Sequence, residues 1–377
     1  MAGLLKNAWV KYSDMKPFLR ICRFPLLGIA MVSLLTALWA GLGRLGWGSP
    51  FHVSTLMAVH GPLMVGGFLG TLIGVERAVA LGTHWPYLAP LGTGLGALAM
   101  LLGLPAAPLL LVGSLALVVV CGVLVLRQAD LANVVTAMGA LLWVVGNIGW
   151  LVGWPLPYVV PWWSGFLIAT IAGERLELSR MLRLSATQRG AFVMAVSVIG
   201  VGLVMSTVDF DRGVRLFGVG VMAQSWWLLR YDIARRTVKQ RGVTRFIAVC
   251  LLSGYGWLGL GGLLTWYGGG VLAGFYYDAM LHAIFVGFVM AMIFGHAPII
   301  FPAVLGHPVT FHPWFYVPLW GLHLSLGLRL VGDLAAWLPG RLWGGLFNAL
   351  MILSFFGLLG GTVLWERHKR ATISPLS

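Results

Sequence analysis

Residues 53–77 read VSTLMAVHGPLMVGGFLGTLIGVER. No charged side chain stands between His60 and Glu76. As a helix the run is long enough to cross a hydrocarbon core of about 30 Å. Its second half recurs. Gly67-Phe68-Leu69-Gly70-Thr71-Leu72-Ile73-Gly74-Val75-Glu76-Arg77 aligns without a gap on Gly165-Phe166-Leu167-Ile168-Ala169-Thr170-Ile171-Ala172-Gly173-Glu174-Arg175. A weaker third copy is Gly287-Phe288-Val289-Met290-Ala291-Met292-Ile293-Phe294-Gly295-His296. Such self-similarity marks a repeated structural unit.

The rest of the chain has the same character. Of 377 residues, 59% are hydrophobic and 10% charged, where soluble domains run at about 25% charged. A water-soluble fold cannot hide that much apolar surface. This composition excludes a soluble enzyme, a disulfide scaffold, a disordered chain and a nucleic-acid-binding domain. Twelve hydrophobic segments are expected, near 24–44, 53–75, 87–104, 107–126, 131–153, 156–173, 190–208, 213–229, 246–267, 276–304, 315–336 and 342–365. The three copies fall on segments two, six and ten, always four apart. The expected fold is therefore an all-α polytopic membrane protein of about twelve transmembrane helices in three pseudo-symmetric four-helix units, with helices two, six and ten on a common axis.

Charge placement sets the expected orientation. With the N-terminus inside, 20 of the 25 Lys and Arg residues lie on the inner side, and only Arg44, Arg212, Arg215 and Arg341 lie outside. The positive-inside rule then puts both termini in the cytoplasm of a bacterial or archaeal inner membrane. The net charge of +14 is topological and faces lipid. Residues 1–23 read as an interfacial cytoplasmic segment without a cleavable signal, 24–366 as one membrane domain and 367–377 as a cytoplasmic tail. Cys22, Cys121 and Cys250 are too dispersed for a disulfide framework or a thiolate metal site.

Ionisable groups inside hydrocarbon are costly and are functional by default. Four of nine histidines fall within segments: His60, His282, His296 and His323. His60 and His282 share a depth near the outer end of equivalent helices. Two neutral imidazoles so placed can ligate one haem iron from both sides. His296 lies fourteen residues after His282, on nearly the same face and about 21 Å deeper, at the level of His323. A second haem or metal between that inner pair is left open, beside the plainer reading of hydrogen-bonded packing residues. Arg329 either forms an i,i+4 ion pair with Asp333 or binds a haem propionate. Glu76, Glu174 and His296 occupy one register position in the three copies. They could hold a divalent metal or relay protons, although a belt of Glu–Arg pairs locking the helix ends is favoured. Met57, Met64, Met280, Met290 and Met292 flank the histidines and bring copper into consideration.

His60-Gly61-Pro62-Leu63-Met64 resembles the H-G-x-x-M of helix two in subunit I of haem–copper oxidases. That resemblance implies twelve spans, pseudo-threefold units and low-spin haem ligation by His60 and His282. Segments six and seven carry no His, and Tyr158 stands where unit two would match His60. An oxygen-reducing haem–copper centre is therefore not expected. The segment His282-Ala283-Ile284-Phe285-Val286-Gly287 with Gly306-His307 is similar to the NnrS family of haem- and copper-containing membrane proteins linked to nitric oxide stress. Members carry H-x-H at the first site; here Ala58 precedes Val59-His60, which weakens the copper implication.

The expectation is a membrane protein binding one haem b, with a second left open, since no C-x-x-C-H attachment motif exists. Its role would be electron transfer, quinol oxidation as a membrane oxidoreductase, or handling of a small gas such as nitric oxide. Its partners would be the lipid bilayer and a quinol or other redox partner. The alternative is a cofactor-free secondary transporter, with buried His, Arg and Glu lining a substrate or proton path.

Overall fold

A computed structural model describes residues 17–48, 54–305 and 310–373, which form helices and their connections with no strand among them. The principal helices are α1 (Pro17–Leu45), α2 (His60–Leu81), α3 (Leu88–Leu101), α4 (Ala107–Arg127), α5 (Leu131–Leu151), α6 (Leu156–Leu178), α7 (Ala186–Met205), α8 (Phe210–Tyr231), α9 (Gly242–Gly268), α10 (Gly274–Pro302), α11 (Tyr316–Leu334) and α12 (Leu338–Ile373). Among the described residues nine of these are long and apolar enough to cross a membrane, fewer than the twelve expected. The other three are α3, α8 and α11. Helix α3 has 14 residues, α8 carries Asp211, Arg212, Arg215 and Arg230, and α11 carries His323, Arg329 and Asp333.

Neither expected end boundary coincides with a break in the helices. Helix α1 already begins at Pro17, and α12 runs on to Ile373. Residues 1–16 and 374–377, His52 and the Gly306-His307 pair lie outside the described residues, as does the side chain of His368.

The helix ends follow local chemistry. Asp130 caps α5 by accepting from the Asn133 backbone N–H at 2.8 Å. Ser185 and Gln188 form a reciprocal capping box at the start of α7. Two glycines let α3 and α4 approach: a Cβ on Gly92 would stand 2.7 Å from the backbone nitrogen of Gly113. Small residues serve this purpose where lipid offers no hydrophobic drive between helices.

Packing is sequential. Helices α1 and α2, α5 and α6, and α9 and α10 lie together, as do α3 and α4, α7 and α8, and α11 and α12. Contacts of α4 with α5, α8 with α9, and α12 with α1 carry the bundle round to its start. Burial shows which helices are central. In α2, α6 and α10, 61%, 67% and 61% of the most apolar stretch is buried, against 33% in α4, α7 and α12. The peripheral helices expose large apolar side chains such as Val112, Val119 and Met194, the surface that a lipid bilayer would cover.

Candidate functional site

Two of the three central helices are irregular at matching places. Residues Leu63–Gly70 of α2 and Ala283–Met290 of α10 each form an eight-residue π-helical segment. Both follow directly on the histidine region, and Gly67 and Gly287 take the same place within them. The wider i→i+5 turn redirects the side chains on either side, and such segments recur at functional sites. The equivalent stretch of α6 remains α-helical.

His60 opens α2 after a one-residue interruption at Val59. Its Nδ1 lies 2.7 Å from the Ala37 carbonyl of α1. His282 Nδ1 lies 2.8 Å from the Asp278 carbonyl one turn earlier. A carbonyl only accepts, so Nδ1 carries the proton in both neutral rings and Nε2 presents its lone pair. Backbone pinning of one imidazole nitrogen is how proteins fix a metal-binding tautomer. Space for the first ring comes from Gly41, where a Cβ would meet His60 Cε1 at 2.8 Å.

Both rings border one cavity of about 680 Å³, within the roughly 300–1,000 Å³ usual for cofactor and ligand sites. Its walls come from α1, α2, α6, α10, α11 and α12 and are mostly apolar, with Phe68, Phe285 and Ile352 among them. Three arginines, Arg44, Arg329 and Arg341, also line it. Asp278 accepts from Arg329 Nε at 3.0 Å and from Nη2 at 2.8 and 3.1 Å. Arg341 stands 3.8 Å from Asp278 and 3.3 Å from Asp333, with its guanidinium 4.3 Å from the Phe275 ring centre.

Of the two roles considered for Arg329, the i,i+4 pair with Asp333 does not form. Asp278 of the neighbouring helix gives Arg329 a forked geometry, and Asp333 is left to Arg341. His323 is not placed as a ligand either. Its Nδ1 accepts from Trp257 Nε1 at 3.0 Å, so its Nε2 carries the proton and donates to Ser253 Oγ at 2.8 Å. No lone pair remains, and this histidine joins α11 to α9 as a packing residue.

The far end of the axis is an ionic belt. Arg77 of α2 pairs with Glu174 of α6, Arg175 donates to both carboxylate oxygens of Asp232 at 2.9 and 3.1 Å, and Arg180 pairs with Asp130. The pairs thus run between helices rather than along them. His296 bonds the Met292 carbonyl through Nδ1 at 2.7 Å, and its buried Nε2 has no hydrogen-bond partner. Among the described residues no group of three or more His, Cys, Asp or Glu is placed to hold a metal ion, so Glu76, Glu174 and His296 do not assemble the metal site considered from their register. Met57, Met64 and Met290 border the cavity, whereas Met280 and Met292 pack in the core.

Residues 23–363 match a family described as Domain of unknown function (DUF8744). The chain belongs to that family. No curated protein matches it, and no solved structure does.

In this DUF8744 chain the residues that sequence reasoning missed are Asp278, Arg341 and Gly41. The signal for Asp278 is nonetheless present: a carboxylate inside the tenth apolar segment, one helical turn before His282. Arg341 and Gly41 carry no such signal. One sits in an expected loop, and the other is one glycine among 52.

Proposed function

We propose that this DUF8744 chain binds haem b, with His60 and His282 as the two iron ligands. The observation that carries the reading is the shared cavity, onto which two imidazoles from register-related helices face with Nδ1 tied to a backbone carbonyl. The apolar walls suit a porphyrin. Arg44 and Arg341 offer cations to its propionates, while Arg329 is largely engaged with Asp278. The haem would supply one-electron chemistry. The protein's part is to fix both imidazole tautomers, exclude water with the apolar walls and neutralise carboxylates at the arginine-lined end. Two histidine ligands would favour electron transfer with a quinol or other redox partner over gas binding, for which one histidine would have to leave.

The finer architecture belongs to the same proposal. Twelve spans in three units, related to the haem–copper oxidase fold, account for a packing order that repeats every four helices. Both termini would lie in the cytoplasm, the bundle would sit in an inner membrane, and the cavity would open toward the outer face. One observation favours the transporter alternative: helical irregularities at matching positions of two repeats, beside a buried ion pair. Those segments remain wound helices, which fits a rigid cofactor site better than an alternating one.

The test is the visible absorption spectrum and iron content of the purified full chain. A spectrum of low-spin haem b is expected, abolished by His60→Ala or His282→Ala and retained in His84→Ala. Equal haem in all three variants would refute the ligand assignment, and a colourless, folded wild-type protein would favour transport.

A further inference from the structure

A second concavity lies at the opposite end of the molecule from the arginine-lined mouth of the cavity, where α8 leads into the basic connection to α9. It is an open groove of about 480 Å³ lined by Trp226, Leu229, Arg230, Arg235, Val238 and Leu252. Its apolar wall faces outward: Trp226 and Leu229 are 57% and 38% exposed. Each guanidinium on the rim is held in place. Arg235 donates from Nη1 to the Arg230 carbonyl at 3.1 Å, and the Arg230 guanidinium lies 5.4 Å from the Tyr231 ring centre.

Neither of these two arginines is neutralised by a carboxylate, unlike the arginines of the ionic belt and of the cavity. Arg77, Arg175, Arg180, Arg212, Arg215, Arg329 and Arg341 each have an Asp or Glu partner. Among the described residues Arg230 and Arg235 have none. The only acid in the connection, Asp232, is buried and bound to Arg175. The same stretch of chain also carries Arg236, Lys239, Arg241 and Arg245, with no other acid between residues 230 and 245.

We infer that this groove is a binding site for an anionic glycerophospholipid, its phosphate held by Arg230 and Arg235 and an acyl chain laid against Trp226, Leu229, Val238 and Leu252. A free phosphate would use the two cations but not the apolar wall, whereas a zwitterionic lipid would use the wall but gain little from the cations. A ligand with both an alkyl chain and a net negative headgroup matches both halves. Basic pockets between helices at the membrane surface are suited to such headgroups, and an exposed Trp belongs at that level. The inference is independent of the haem reading.

Native mass spectrometry of the full chain in detergent tests it, with added phosphatidylglycerol, phosphatidylcholine or inorganic phosphate. Wild type should retain one phosphatidylglycerol in preference to phosphatidylcholine. The Arg230→Gln/Arg235→Gln variant should lose that preference, with retention falling roughly thirtyfold at about fivefold per charge. A charge-matched Arg236→Gln/Lys239→Gln variant should keep it, which separates a site from general surface charge. Trp226→Ala should weaken retention of the lipid while both cations remain. Equal retention by wild type and the Arg230/Arg235 variant would overturn the site. Equal retention of the two lipids, or inorganic phosphate displacing phosphatidylglycerol, would overturn the assignment to an anionic lipid.

Discussion

The Arg329–Asp278 pair is the part of the cavity whose energetics can be worked most closely. Four groups meet there: Asp278, Asp333, Arg329 and Arg341. With both carboxylates and both guanidiniums charged, the set is neutral in sum. Asp278→Asn keeps the shape and the backbone carbonyl that orients His282, yet leaves the set at +1 with Arg329 facing a neutral amide. The side chains of Arg329 and Asp278 are only 9% and 17% exposed, so water screens little of the change. Removing one partner of a buried pair costs about 3–5 kcal/mol, because the other charge is left uncompensated. Residual exposure at the cavity mouth places this case at about 3 kcal/mol. Removing both charges together is far less costly, so Asp278→Asn/Arg329→Gln should recover at least half of the loss. The assay is equilibrium unfolding of the detergent-solubilised protein, followed by tryptophan fluorescence as a double-mutant cycle. A single variant within about 1 kcal/mol of wild type, or a double variant showing the simple sum of the two single losses, would refute the argument.

Three other substitutions probe separate parts of the molecule. Gly41→Ala should displace the His60 ring and lower haem content per protein in a folded chain, since overpacking costs about 1–3 kcal/mol; wild-type absorbance would contradict it. His323→Ala should leave haem content unchanged but destabilise by about 1–3 kcal/mol, as Trp257 Nε1 loses its acceptor; loss of the cofactor instead would restore His323 as a ligand. Asp232→Asn strands Arg175 where the pair's side chains are 4% and 0% exposed. It should cost about 3–5 kcal/mol in unfolding experiments, with little effect on the absorption spectrum.

Much of this arrangement is legible without coordinates. Helices with long apolar runs begin and end close to the expected segments, because the bilayer length requirement and the polar connections are written into hydropathy. His60 and His282 share a cavity, and their matching places on two copies of the repeat are visible in the sequence. The Glu76 and Glu174 positions are legible only as helix ends. Which arginine meets which carboxylate depends on interhelical distance, and the sequence favours the local pair by default. For Arg329 the local candidate is Asp333, whereas its partner comes from α10. His323 illustrates a different gap. A histidine inside an apolar helix carries the same signal whether it binds a metal or, as here, accepts from one neighbour and donates to another. The π-helical segments leave no trace in residue type, since their apolar side chains would suit an ordinary helix equally well.

The second repeat copy explains why the cavity lies where it does. At the register of the two π-helical segments, α6 keeps its regular helix and packs its rings against α5. Trp163 and Phe166 are buried there, and Phe166 stacks on Trp143 with centroids 4.5 Å apart. Trp163 and Val160 then form a wall of the cavity, rather than supplying a third polar group to it. Here α2 and α10 each present one imidazole, while α6 presents hydrocarbon and indole. That asymmetry supports a flat apolar group held between two nitrogen donors and backed by an aromatic wall. It does so on packing grounds, independently of the short motifs that the histidine segments share with known families.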